Sequence, residues 1–96
     1  PLSLKETISK LQALKVFVLP GNSALFVDYK LKKTNTETLV VNIFNLLGEK
    51  VFSITLRPSG SVLQDFISLP NRLPKGVYLI QIIEANEIEV EKFIVD

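Results

Sequence analysis

The sequence predicts an all-β domain, an antiparallel sandwich of about seven strands, and three observations carry that expectation. Runs rich in Val, Ile, Leu, Phe and Tyr alternate apolar and polar residues with a two-residue period, the pattern of a strand with one face buried. These runs recur every ~8–12 residues, the spacing of a β-sandwich. Each is closed by Pro, Gly, Asn or Ser, which supply the backbone angles of tight turns. At 96 residues, 47% of them apolar, the chain is one domain with enough apolar surface for a core.

The first stretch is the exception. Residues 3–14 read as a short amphipathic helix, since Ser3 and Glu6 have capping-box spacing and Leu4, Ile8, Leu11 and Leu14 share a face. A helix this short is marginal alone, so a linker is the alternative reading. Val16–Leu19 is then a strand ended by Pro20-Gly21-Asn22. Leu25–Lys32 turns Leu25, Val27, Tyr29 and Leu31 inward and Asp28, Lys30 and Lys32 toward water. After the polar loop 33–37, Leu39, Val41 and Ile43 lead a third strand whose other face, with Val40 and Phe44, is also apolar.

Asn45–Lys50 is a hairpin loop with Gly48 at a left-handed position. Val51–Leu56 makes the fourth strand, broken by Arg57–Ser61, and Val62–Leu69 the fifth, ended by Pro70-Asn71. Pro74 and Gly76 form a tight turn before the most β-prone stretch of the chain. There Tyr78, Ile80 and Ile82 share one face, and Val77, Leu79, Gln81 and Ile83 the other. Apolar residues on both faces predict a central strand covered on each side. Ala85-Asn86-Glu87 turns the chain into the last strand, Ile88–Val95. In it Phe93-Ile94-Val95 interrupts the alternation of Ile88 and Val90 with Glu89 and Glu91, which a bulge or burial on both faces would explain. The whole reads as an immunoglobulin-like sandwich, with an open barrel as the alternative.

Composition excludes most chemistry. There is no His and no Cys, so the commonest general base, the thiolate nucleophile and the usual transition-metal ligands are missing. No GxSxG elbow occurs, and the four glycines form no phosphate cradle. Glu84, Glu87, Glu89 and Glu91 cluster without a calcium-loop pattern. Glu87, Glu89 and Glu91 sit two apart and read as the solvated outer face of a strand. No catalytic residue, metal or cofactor is expected. A net charge of +1 argues against a nucleic-acid surface, and Tyr29, beside Lys30, Lys32 and Lys33, belongs to an apolar face. Charge is uneven: residues 1–33 carry six lysines against Glu6 and Asp28, whereas 84–96 carry Glu84, Glu87, Glu89, Glu91 and Asp96 against Lys92. No apolar run approaches the ~18 residues of a membrane span, and no signal peptide is visible. Pro1 in place of Met is what a piece of a longer protein would show. The lack of Cys suits oxidising and reducing compartments alike.

Several blocks, in order, resemble the C-terminal sorting domain of proteins exported by the type IX (Por) secretion system of Bacteroidetes. Val41-Asn42-Ile43-Phe44-Asn45-Leu46-Leu47-Gly48-Glu49-Lys50-Val51 is similar to the family's V-x-I-[YF]-[DN]-x-x-G-[KR]-x-V hairpin. Leu73-Pro74-Lys75-Gly76-Val77-Tyr78-Leu79-Ile80-Gln81-Ile82 is similar to its L-x-x-G-V-Y-x-V-x-I segment, and Lys92-Phe93-Ile94-Val95-Asp96 to its terminal Lys-hydrophobic stretch. Near Pro20-Gly21-Asn22 the chain departs from the family's Tyr-Pro-Asn-Pro-like turn. The hairpin and GVY elements also occur in modules resembling the Ig-like domain of the flagellar hook-capping protein. Those more often carry Trp-Asp before the last turn, and this chain has no Trp.

The resemblance implies a division into 1–14, a linker or short helix joining to an upstream cargo, and 15–96, the Ig-like sorting domain. It implies a non-catalytic secretion signal that directs the cargo across the outer membrane through the type IX translocon. A sortase-like peptidase would follow, cleaving the domain and attaching the cargo to the surface. The implied partners are that secretion machinery, the peptidase and the upstream cargo, with no nucleic acid and no membrane span. The implied location is the periplasm in transit, then the outer membrane, cell surface or extracellular space. The candidate residues for translocon recognition are Lys92, Phe93, Ile94 and Val95, whereas Gly48, Gly76, Val77 and Tyr78 are expected to be structural. The alternatives are an Ig-like adhesion or spacer module and a retained docking domain of a surface or secretion complex.

Overall fold

In the computed structural model, which describes residues 13–33 and 36–96, seven antiparallel strands make two sheets. β1 (Leu14–Val18), β2 (Ala24–Lys30) and β5 (Val62–Ser68) form one, in the order β1-β2-β5. β3 (Leu39–Asn45), β4 (Lys50–Leu56), β6 (Gly76–Glu84) and β7 (Glu87–Val95) form the other, in the order β4-β3-β6-β7. This is an immunoglobulin-like order in which β4 joins the β3–β6–β7 sheet. No helix occurs among the described residues. Most of the helix expected over 3–14 lies outside them, but Leu14 is a correction: it opens β1, fully buried and opposite Tyr29. Its reason is the two-residue period, which runs Leu14, Val16, Val18 inward.

The same period builds the core. β2 sends Leu25, Val27 and Tyr29 inward, β3 Leu39, Val41 and Ile43, and β6 Tyr78, Ile80 and Ile82. Register then sets apolar side chains side by side: Val41 lies opposite both Ile54 and Ile82, and Ile43 opposite both Phe52 and Ile80. Each such side chain, fully buried, contributes about 1.5–3 kcal/mol.

Two contacts between the layers fix the polarity of the sandwich. Where β2 and β6 end, the Tyr29 hydroxyl donates to Glu84 at 2.8 Å. At the opposite pole, the Asn22 side-chain amide donates to the carbonyl of Asp96 at 3.1 Å. The chain therefore enters β1 at one pole and leaves β7 at the other, and β1 and β7 run side by side in the same direction.

β7 corrects the sequence reading. Its register with β6 is unbroken from Gly76–Val95 to Glu84–Glu87, so there is no bulge. Phe93 and Val95 are core, and a period of two carries Glu91, Glu89 and Glu87 to that same side. Ile88, Val90, Lys92 and Ile94 point outward instead. The glutamates stay partly exposed because β7 is the sheet edge, where Glu89 takes the Lys32 ammonium at 2.7 Å. β6 is central, as expected, between β3 and β7. The outward Val77, Leu79 and Ile83, however, are half-buried, not enclosed.

Candidate functional site

The four candidate recognition residues divide by direction. Phe93 and Val95 face the core, and Lys92 and Ile94 face solvent, with Ile94 56% exposed. Phe93 stacks on Tyr78 with ring centroids 5.6 Å apart and planes 22° off parallel. The Tyr78 hydroxyl donates back to the Pro74 carbonyl at 2.6 Å. A tyrosine near the start of this strand, bonded to backbone just upstream, is the tyrosine corner of immunoglobulin-like sandwiches. The connection leading to it is tied down as well, because Leu69 N–H donates to Ser23 and Leu73 N–H to Asn22. The last strand thus ends on a rigid pole. Beside it, Val16, Phe17, Lys92, Ile94 and Asp96 line a shallow groove between β1 and β7.

Gly76 opens β6 at φ +156°, opposite Val95. A Cβ there would meet only Tyr78 Cε1 at 3.9 Å, an ordinary contact, so the backbone angle is what demands glycine. Gly76→Ala is expected to cost about 1–3 kcal/mol, read as a lower urea midpoint at unchanged slope. Val77 beside it is half-buried on the outward face.

At the same pole the β3–β4 hairpin has Gly48 at φ +86°, as expected. The Asn45 side chain organises the turn, its Oδ1 accepting from the N–H groups of Leu47 and Glu49 at 2.9 and 3.0 Å. This fixed tip holds Leu46 and Leu47 out, 69% and 84% exposed. In the sequence they are two leucines inside an otherwise polar turn. The exposed aromatics among the described residues lie on strands, not loops: Phe17 and Phe66 flank the half-buried Phe26 in a row across the outer face of β1-β2-β5, with centroids 6.3 and 4.9 Å apart.

Glu84 stands outside the residues that the sequence marks as candidates. It is fully buried, and its carboxylate accepts four hydrogen bonds: from the Tyr29 hydroxyl at 2.8 Å, Lys32 N–H at 3.0 Å, Lys33 N–H at 2.9 Å and the Thr36 hydroxyl at 2.8 Å. Burial pushes the carboxyl up and is the largest single influence, yet the four donors together outweigh it and hold the group below its ordinary value. Burial, then the bond to Glu84 and the charge behind it, push the Tyr29 phenol up. Glu89 likewise raises the Lys32 ammonium, mainly through their hydrogen bond. With its acceptors filled, Glu84 is a structural clasp that fastens the start of the β2–β3 loop. Its sequence signal was the inward series Tyr78, Ile80, Ile82 continued by two.

The profile of the secretion system C-terminal sorting domain family matches residues 15–96, from β1 to the last residue. No curated protein matches the chain. The matched family comprises sorting signals of exported proteins that work with the type IX machinery, and it is not known for catalysis. The hairpin around Gly48, the corner at Gly76 and Tyr78 and the terminal strand all fall inside the match. The chain belongs to the family of type IX secretion C-terminal sorting domains.

Proposed function

We propose that this domain is the address of an exported protein, read as a folded unit. An upstream cargo, joined through residues 1–14, is delivered to the type IX translocon, crosses the outer membrane, and is released by a sortase-like peptidase for attachment to the cell surface. The observation that carries the reading is the family match over 15–96. The physical support is the terminal strand: Phe93 and Val95 anchor it in the core, so that the backbone at Lys92 and Ile94 is held in place and both side chains leave the outer face of the sheet. A backbone already fixed in a sheet spares a receptor the cost of ordering the chain itself.

The test is a fusion of residues 1–96 to a periplasmic reporter in a type IX-competent host. Surface delivery is the expected result, and a folded fusion retained in the periplasm of an active host overturns the sorting reading. A Lys92→Ser, Ile94→Ser pair is expected to lower delivery by about tenfold or more with the urea midpoint unmoved. Undiminished delivery would move recognition to another surface.

A further inference from the structure

A sandwich of two open sheets has four edges, and three of them here are guarded. Beside the β5 edge, the Phe66 N–H is capped by the Asp65 carboxylate at 2.8 Å. β1 and β7 lie against each other, and β7 carries Glu87, Glu89, Glu91 and Lys92. Charges, capped donors and covering strands are the devices by which proteins prevent edge pairing. β4 has almost none. Val51 is bulged out of the β3 register, and beyond it Phe52–Leu56 form a regular edge with no charge and no proline. Phe52, Ile54 and Leu56 lean, half-buried, against the open side of the core.

A half-open pocket of about 160 Å³ adjoins the start of this edge, its floor made by Val51, Phe52, Leu69 and Leu73 and its rim by Pro70, Asn71 and Arg72. A volume of ~150 Å³ holds a benzene-sized group, so by size this one takes a single side chain. Basic residues outnumber acids along this part of the chain: Lys50, Arg57, Arg72 and Lys75 stand against Glu49, which the Asn45 amide engages at 2.7 Å, and Asp65. Among the described residues, none of these four cations is in an ion pair.

We propose that β4 is a strand-addition edge, taking an extended segment of a partner protein that is apolar at alternate positions and acidic at its flanks. The unpaired donors and acceptors of Phe52–Leu56 specify an extended backbone, the pocket takes one of its apolar side chains, and Lys50, Arg57 and Arg72 receive its carboxylates. A second copy of this chain fits less well. Antiparallel pairing of two β4 edges sets the Lys50 end of one against the Arg57 end of the other, and like charges facing across strands destabilise.

The test is a titration of the isotope-labelled chain with a capped heptapeptide of alternating valine and threonine, with an aspartate at each end. Main-chain bonds supply much of the affinity in this mode, so a generic strand suffices as probe. Amide exchange is expected to slow at alternate residues of Phe52–Leu56, with shifts also at Leu69–Leu73. The same peptide ending in lysines, or an Arg72→Glu chain with the acidic peptide, is expected to bind about tenfold more weakly. Unprotected β4 amides at about 2 mM peptide overturn the proposal, as do shifts centred on another surface. Equal binding of the lysine peptide overturns the acidic flank. A dimer in sedimentation without peptide, with β4 protected, replaces the partner by a second copy. The titration involves no export step, so its failure and a failure of the sorting reading are separate results.

Discussion

Glu84→Ala is expected to remove about 3–5 kcal/mol of folding stability, the scale for deleting one member of a buried charged network. Small domains hold only about 5–15 kcal/mol in total, so the variant should sit close to unfolding at room temperature. The loss is not that of one contact. Without the carboxylate, the buried Tyr29 hydroxyl and the Lys32 and Lys33 N–H groups lose their acceptor, and the Thr36 hydroxyl keeps only the longer contact to the Lys33 carbonyl at 3.4 Å. Tyr29→Phe removes a single donor and leaves Glu84 three, so its cost should be smaller, about 1.5–3 kcal/mol. Urea denaturation of both single variants and the double measures their coupling; strictly additive losses would contradict a shared clasp.

The same carboxylate sets an acid limit. Its value is lowered in the folded state and ordinary, about 4.3, in the unfolded chain. In the interval between the two, the unfolded chain binds the extra proton, so stability falls as pH falls. The contribution is whole above the unfolded value and is lost as pH drops through the folded one. Urea midpoints between pH 7 and pH 2 should show this decline in the native chain and a shallower one in Glu84→Gln. Parallel profiles would assign the acid sensitivity to other groups.

Phe93→Ala should be nearly as costly, about 3–5 kcal/mol, since it empties a buried aromatic site and strips the stack from Tyr78. Ile94→Ala, one residue on and 56% exposed, should change stability by no more than about 0.5 kcal/mol. Thermal melts of the two distinguish them directly, and equal melting points would contradict the placement of Phe93 in the core. The contrast matters for any export assay. Phe93→Ala would abolish delivery by unfolding the address, whereas a loss in Ile94→Ala would report on its reading.

The strands were legible because each carries its own two-residue period between turn residues; their ends lie within two residues of the sequence reading. The phase of β7 was not legible. Ile88, Val90 and Ile94 make one apolar series, Phe93 and Val95 another on the opposite side, and only pairing with β6 decides which is buried. Hence the chain revealed where the terminal strand lies but not that, of Lys92, Phe93, Ile94 and Val95, only Lys92 and Ile94 point outward. Glu84 was hidden for a different reason. An acid survives burial only with its acceptors filled, and its four donors come from 48 to 55 positions away. No local pattern announces that.

Because β1 starts at one pole and β7 ends at the other, traction applied at Leu14 and at Asp96 runs along the strand axes. The five residue pairs joining β1 to β2 are then loaded together and slide in shear, whereas a hairpin tugged at its open end parts rung by rung. Load in that direction falls on all five pairs at once, so the module should resist being drawn out by its two ends better than it resists the peeling of any one hairpin.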